Sequence, residues 1–188
     1  MANVFLRPSP RIFHSIPWNS NKNIGKSYNE TMELVNSDDW VCFLDGDAVH
    51  STHFFGNRIE ETIMLNPEYS LFTCYTNRVN CKYQIAPNVD SITNDQSYHR
   101  SFGEKIWFDY STSVTDITNN VELSGVLILL QKSAWERAGG FKEDKMLSID
   151  NDIHRKIRHL GERVGLMQGI YVQHWYRGGD NSNKSHLL

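Results

Sequence analysis

Three apolar runs constrain this chain more than any other feature: residues 40–44 (WVCFL), 69–75 (YSLFTCY) and 126–130 (VLILL). None keeps the regular apolar–polar alternation of a strand with one wet face. Such strands are buried on both sides, which a sheet achieves when helices cover both of its faces. Helical spacing fills the intervals. Ile24, Tyr28, Met32 and Val35 recur three and four residues apart and predict a helix over 24–36. Phe55, Ile59 and Ile63 predict a second helix, capped by Ser51 or Thr52 and stopped at Asn66-Pro67. Ser133-Ala134-Trp135-Glu136 has capping-box spacing and opens a short helix that ends at Gly139-Gly140. Asp150 opens another, closed by Gly161. Residues 2–6 and 164–172 add strands, and Pro8, Pro10 and Pro17 make 7–23 a loop. The expected fold class is α/β: one domain over 1–188, a three-layer sandwich around a mostly parallel, Rossmann-like sheet.

Residues 76–122 break this rhythm. They are rich in Asn, Ser, Thr and Asp, and read as a long insertion with short elements on the acceptor side of a site. Charge excludes some classes of function. The net charge is −3 with 19 scattered Lys and Arg, so nothing argues for a nucleic-acid partner. No stretch approaches the ~20 apolar residues of a membrane span. Cys42, Cys74 and Cys81 lack metal-site spacing and read as buried thiols, which implies a reducing, cytoplasmic setting. His14, His50, His53, His99, His154, His159 and His186 read as solvated or structural, with His50 and His53 on the helix after residue 47 and pointing away from it.

The first apolar run ends in Asp45-Gly46-Asp47, at the carboxyl end of its strand, where ligands bind in sheets of this class. Gly46 allows a tight turn, so both carboxylates can face one small volume. Two such charges repel unless a cation joins them. Hard oxygen ligands select Mg²⁺ or Mn²⁺, ions that commonly also hold phosphates. Asp150 and Asp152 stand at a helix start, where capping and the helix dipole are a sufficient account of Asp152. Lys26 and Asn29, near the start of the first helix, could meet phosphate or base, or simply form its exposed face. Trp175 and Arg177 could bind substrate, and Trp135 reads as core.

Three blocks, SDDWVCFLDGDA, SGVLILLQKSAWERAGGF and IDNDIHRKIRHLG, with Gln173-His174-Trp175 after them, resemble the GT-A glycosyltransferases, family 2 in particular, in an abbreviated form. The likeness runs over 37–175 in order and spacing. It implies that Asp47 ligates a metal, that Asp45 binds the donor ribose or the metal through water, and that His174 is a further ligand. It also implies that Ser124-Gly125 lies beside the donor sugar and that Asp150 is the base deprotonating an acceptor hydroxyl. The family's acid before the base is Ile149 here. A second strand, a helix and a nucleotide-base acid give way to the 7–23 loop, on which base recognition would be rebuilt.

The implied activity is metal-dependent transfer of a sugar from a UDP- or GDP-linked donor to a hydroxyl acceptor, glycan or other, with inversion. The implied cofactor is Mn²⁺ or Mg²⁺. The metal stabilises charge on the departing diphosphate, and a carboxylate takes the acceptor proton. His174 binds metal only when neutral, so activity should fall below a pH of ~6.5. Two alternatives remain open at this point. A nucleotidyltransferase would carry a Gly-rich phosphate loop, whose glycines VFLRPSPR lacks. A non-catalytic nucleotide-sugar or carbohydrate-binding domain would bind the donor and leave it intact.

Overall fold

A computed structural model describes residues 9–120, 122–143 and 147–175. Among them, seven strands form one sheet with five α-helices around it. The strands are β1 (Ile12–Ser15), β2 (Trp40–Leu44), β3 (Ala48–His50), β4 (Tyr69–Thr76), β5 (Val114–Asp116), β6 (Leu127–Gln131) and β7 (Arg163–His174). The helices are α1 (Ile24–Glu33), α2 (Phe55–Leu65), α3 (Gln96–Tyr110), α4 (Lys132–Ala138) and α5 (Ile149–His159). The α/β class holds, but the sheet is mixed rather than mostly parallel. Its order is β1-β2-β6-β4-β7-β3, with β5 also on β7. Only β1/β2 and β4/β7 are parallel, whereas β6 runs antiparallel to both of its neighbours. A strand buried on both faces reads alike in either direction, so the apolar runs carried no information about it.

The three runs predicted as strands are β2, β4 and β6, and their side chains alternate between two cores. Val41, Phe43, Leu71, Ile128 and Leu130 pack with Tyr28 and Met32 of α1, Ala134 of α4 and Ile153 and Ile157 of α5. Trp40, Cys42, Phe72, Cys74, Leu127 and Leu129 pack with Ile59 and Ile63 of α2. All three cysteines are buried free thiols. One aromatic cluster bears directly on the site. Tyr28 stacks on Phe43 at 4.4 Å, and Phe141 meets both rings edge-on. This clamps α1 to the C-terminal end of β2, two residues before Asp45.

Several sequence expectations need correcting. β1 lies inside the segment assigned to a loop, between Pro10 and Pro17; as an edge strand it tolerates flanking prolines. The strand expected over 2–6 falls outside the described residues. The stretch after Asp47 is not yet helix: Ala48–His50 pairs antiparallel with β7, and α2 begins only at Phe55. Its N-cap is Phe54 in the left-handed region, and neither Ser51 nor Thr52 caps it. Ser133 caps nothing either, because α4 starts at Lys132 after Gln131. Gly46 is not needed for a special backbone conformation: its φ is not positive, and an added Cβ would meet only Ile16, at 3.8 Å.

The polar segment contains the longest helix. α3 packs on β7 through a polar seam: His99 is buried, with Nδ1 2.7 Å from the Tyr171 hydroxyl and Nε2 3.0 Å from the Thr93 carbonyl. Because that carbonyl can only accept, Nε2 carries the proton and Nδ1 accepts from Tyr171. Beyond α3, the chain abuts β7 where the strand bulges between Met167 and Tyr171. There Gly169 is indispensable: a Cβ would lie 1.8 Å from the Ser111 carbonyl oxygen. Gly169→Ala should therefore cost at least ~3 kcal/mol of stability in denaturant unfolding, because backbone rather than a side-chain tip must move.

Candidate functional site

β2, β4 and β7 end on the same edge of the sheet, and antiparallel β6 begins there. Asp45, Asn77, Gly125 and His174, at or near these strand ends, therefore lie on the same side of the sheet. Asp45-Gly46-Asp47 bridges β2 to β3 and is pinned at both ends: Asp45 N–H donates to the Val126 carbonyl at 3.1 Å, and Trp175 N–H donates to the Asp47 carbonyl at 2.9 Å. His174 closes β7. Its backbone N–H donates to Asn77 Oδ1 at 2.7 Å, and its Nδ1 lies 2.8 Å from the Arg78 carbonyl.

That carbonyl fixes the tautomer. Nδ1 must be the donor, which turns Nε2 toward Asp47 Oδ1 at 3.1 Å and Asp45 Oδ2 at 3.8 Å. A lone pair facing two carboxylates is unfavourable without a cation among them, either a proton or a metal. Ligand atoms of Asp45, Asp47 and His174 all lie within 4.8 Å of one another. Two carboxylates and an imidazole held by a backbone carbonyl suit Mn²⁺ or Mg²⁺.

Electrostatics point the same way. Burial alone would lower the His174 pKa, but Asp47, Asp45 and the Arg78 carbonyl outweigh it and hold the imidazole above its ordinary value. Asp45 keeps 41% of its side-chain surface accessible and lines the cavity. Burial, opposed by His174 and reinforced by Asp47 and Asp150, pushes its carboxyl up to about 7. The direction common to both is retention of a proton that a divalent ion would replace.

A cavity of about 580 Å³ opens beside this cluster and is lined by Asp45, Asp47, His174, Ser124, Gly125 and Asp150. Asp150 sits in the first turn of α5; its Oδ2 accepts from Gly125 N–H at 2.9 Å and its Oδ1 from Asn151 N–H at 2.8 Å. Burial raises its pKa despite those bonds. Asp152, next along, is tied to Arg155 and Lys156 on its own helix. Ile149 is buried and borders the cavity.

Other expected site residues lie elsewhere. Asn29 is fully engaged in the fold: its Oδ1 accepts from Trp135 Nε1 at 2.9 Å and Phe141 N–H at 2.8 Å, and its Nδ2 donates to the Phe141 carbonyl. It joins α1 to the Gly139-Gly140 turn, a contact 112 residues away that spacing within one helix could not reveal. Lys26 pairs with Glu30 on the exposed side of α1, outside the cavity. Trp175 is half-buried beside the cluster, and Arg177 lies outside the described residues.

Sequence reasoning missed three contributors. Asn77 and Arg78 orient His174, and their position just past the end of β4 was the available signal. Tyr28, read only as a core position, also lines the cavity, and burial together with Asp45 and Asp150 raises its phenol pKa. The 7–23 loop, expected to carry base recognition, brings Trp18, 77% exposed, and Lys22 to the cavity. Among the described residues no helix is long and apolar enough to cross a membrane. Compared with family models and with curated proteins, the chain matches neither, so the site is read from its own geometry.

Proposed function

We propose that this chain is a metal-dependent glycosyltransferase of GT-A type, built as a three-layer sandwich and transferring a sugar from a UDP- or GDP-linked donor to an acceptor hydroxyl with inversion. One observation carries the reading: Asp45, Asp47 and His174 converge within 4.8 Å on a cavity that Asp150 also lines. A bound Mn²⁺ or Mg²⁺ would neutralise charge developing on the departing diphosphate. Asp150 takes the acceptor proton as the acceptor oxygen bonds to the anomeric carbon and the bond from that carbon to the diphosphate oxygen breaks. Gly125, by donating to Asp150 Oδ2, orients the base. Lys22 supplies a cation at the rim, and Trp18 offers a ring face for the nucleotide base. The three unpaired thiols suit a reducing, cytoplasmic setting.

Incubation with a panel of UDP- and GDP-sugars, Mn²⁺ and mixed acceptors should release nucleoside diphosphate from one donor, and EDTA should stop it. A second reading, a non-catalytic nucleotide-sugar-binding domain, is favoured by the two backbone N–H groups that already engage Asp150. A carboxylate has about four acceptor sites, so two bonds leave room for a proton. Donor binding without release from any donor would support the second reading over the first.

The proton held by the cluster gives a further expectation. Asp45 and His174 both have folded pKa values above their unfolded ones, so their contribution to metal-free stability is fully present at low pH and is lost as pH rises through the folded values. Metal binding displaces that proton. The rise in Tm produced by Mn²⁺ should therefore be small at about pH 6 and grow toward about pH 8. A shift that is equal at both would mean the ion binds elsewhere.

A further inference from the structure

A second set of metal-ligating side chains lies away from the cavity, on the face of the sheet that α2 covers. His14 of β1 and Cys42 of β2 are register partners on adjacent parallel strands, so their side chains project to the same face side by side. The turn through Asp45-Gly46-Asp47 leads into β3, which brings His50 to the same place. A ring nitrogen of His14, a ring nitrogen of His50 and Cys42 Sγ all lie within 4.8 Å of one another. From these observations we infer that His14, Cys42 and His50 form a second metal site, one that takes Zn²⁺ or a similarly borderline-soft ion.

The donor set decides the ion. Two imidazoles and a thiolate favour Zn²⁺ over Mg²⁺ or Mn²⁺, whereas the Asp45-Asp47-His174 cluster favours the hard ions. The two sites therefore sort metals by softness. Tetrahedral zinc, with metal–ligand lengths of ~2.0–2.3 Å, needs its ligands roughly 3.3–3.8 Å apart. His14 is exposed and can supply the remaining approach, while Cys42 is fully buried. His50 Nδ1 is buried without a hydrogen-bond partner, an orphaned polar atom that an ion would satisfy. His50 is held in place by its stack on Phe55 at 3.8 Å, and the His14 ring meets both edge-on. A second cavity of about 220 Å³ reaches His14 between Pro10, Ile12, Gly56, Asn57 and Glu60. It offers an entry path and room for a water as fourth ligand. Binding exchanges the Cys42 thiol proton for the ion, and the proton leaves to solvent.

Co²⁺ titrated into the metal-stripped full chain tests the site independently of any catalytic role, because the carboxylate cluster contains no sulfur. The expected result is a thiolate-to-cobalt charge-transfer band that saturates stoichiometrically and is removed by added Zn²⁺. Cys42→Ser should abolish it. His14→Ala, at an exposed position where folding is safe, should weaken Co²⁺ binding by more than ~100-fold, since even outer-shell changes cost 10–100-fold. Absence of the band in the native protein would mean that the two imidazoles and the thiol are packing only. A band that survives His14→Ala with less than about tenfold loss would likewise overturn the site.

Discussion

Asp47→Ala should leave the protein folded and reduce sugar transfer by about 10³-fold or more. The fold should survive because the substitution keeps the backbone carbonyl of residue 47, which accepts from Trp175 N–H. Its side chain is 48% exposed, and the hydrogen bond that it shares with His174 contributes about 1 kcal/mol to stability. Activity responds differently. In the proposed mechanism, losing one of three ligands would leave only Asp45 and His174 to hold the ion. A metal beside a departing diphosphate supplies several kcal/mol of transition-state stabilisation, and ~4 kcal/mol corresponds to about 10³ in rate. Thermal unfolding alongside turnover separates the two effects: Tm should move little in metal-free buffer, and the rise caused by Mn²⁺ should disappear. Turnover within about tenfold of the native rate would place the ion on other ligands.

Asp150→Asn tests the other half of the chemistry. The substitution preserves shape but removes basicity, and general-base contributions run to 10²–10⁴ in rate. Nucleotide binding in Mn²⁺ should persist, since Asp45, Asp47 and His174 are untouched, so kcat should fall by roughly 10²–10⁴ while donor affinity changes little. The fold pays a modest penalty: Gly125 N–H and Asn151 N–H each need an acceptor, and an amide offers only one oxygen. That mismatch costs about 1–3 kcal/mol. Transfer at the native rate would show that the acceptor proton leaves by another route, with Asp150 serving only to hold Gly125 and the start of α5.

The parts of this arrangement that could be read from sequence are those with local signatures. WVCFL announces β2 because every one of its side chains is buried, and the carboxylates that follow it fall at the end of that strand. α5 was legible because Asp150 stands at its start and Gly161 follows its end. What escaped depends on contacts distant in sequence. α3 is the exception: it carries a stripe at four-residue spacing, Tyr98, Phe102, Ile106 and Tyr110, which was passed over because the segment around it is rich in Asn, Ser, Thr and Asp; its buried seam with Tyr171 is partly polar through His99. β1 and β3 are short and only partly buried, and each is defined by the strand it pairs with. Asn29 looked available because the turn at Phe141 that uses up its amide cannot be seen from α1 alone.

His174 lies between these cases. Its place at the end of an apolar strand drew attention to it, but its orientation depends on a carbonyl 96 residues away that turns Nε2 toward the carboxylates. The same edge gathers Asp45, Ser124, Gly125 and Asp150 because β6 runs against its neighbours, the feature of the sheet that composition hid. The expectation of a mostly parallel sheet did not displace Ser124 and Gly125 from the expected site, because their place beside the donor sugar was implied by the family resemblance and not by strand direction.

Calorimetric titration of the native chain with UDP and with GDP, in Mn²⁺ and again in excess EDTA, tests the central claim most directly. A cation held by Asp45, Asp47 and His174 should make one nucleotide bind in Mn²⁺, with that binding lost in chelator and in Asp47→Ala. Equal affinity for the same nucleotide in Mn²⁺ and in chelator would contradict it.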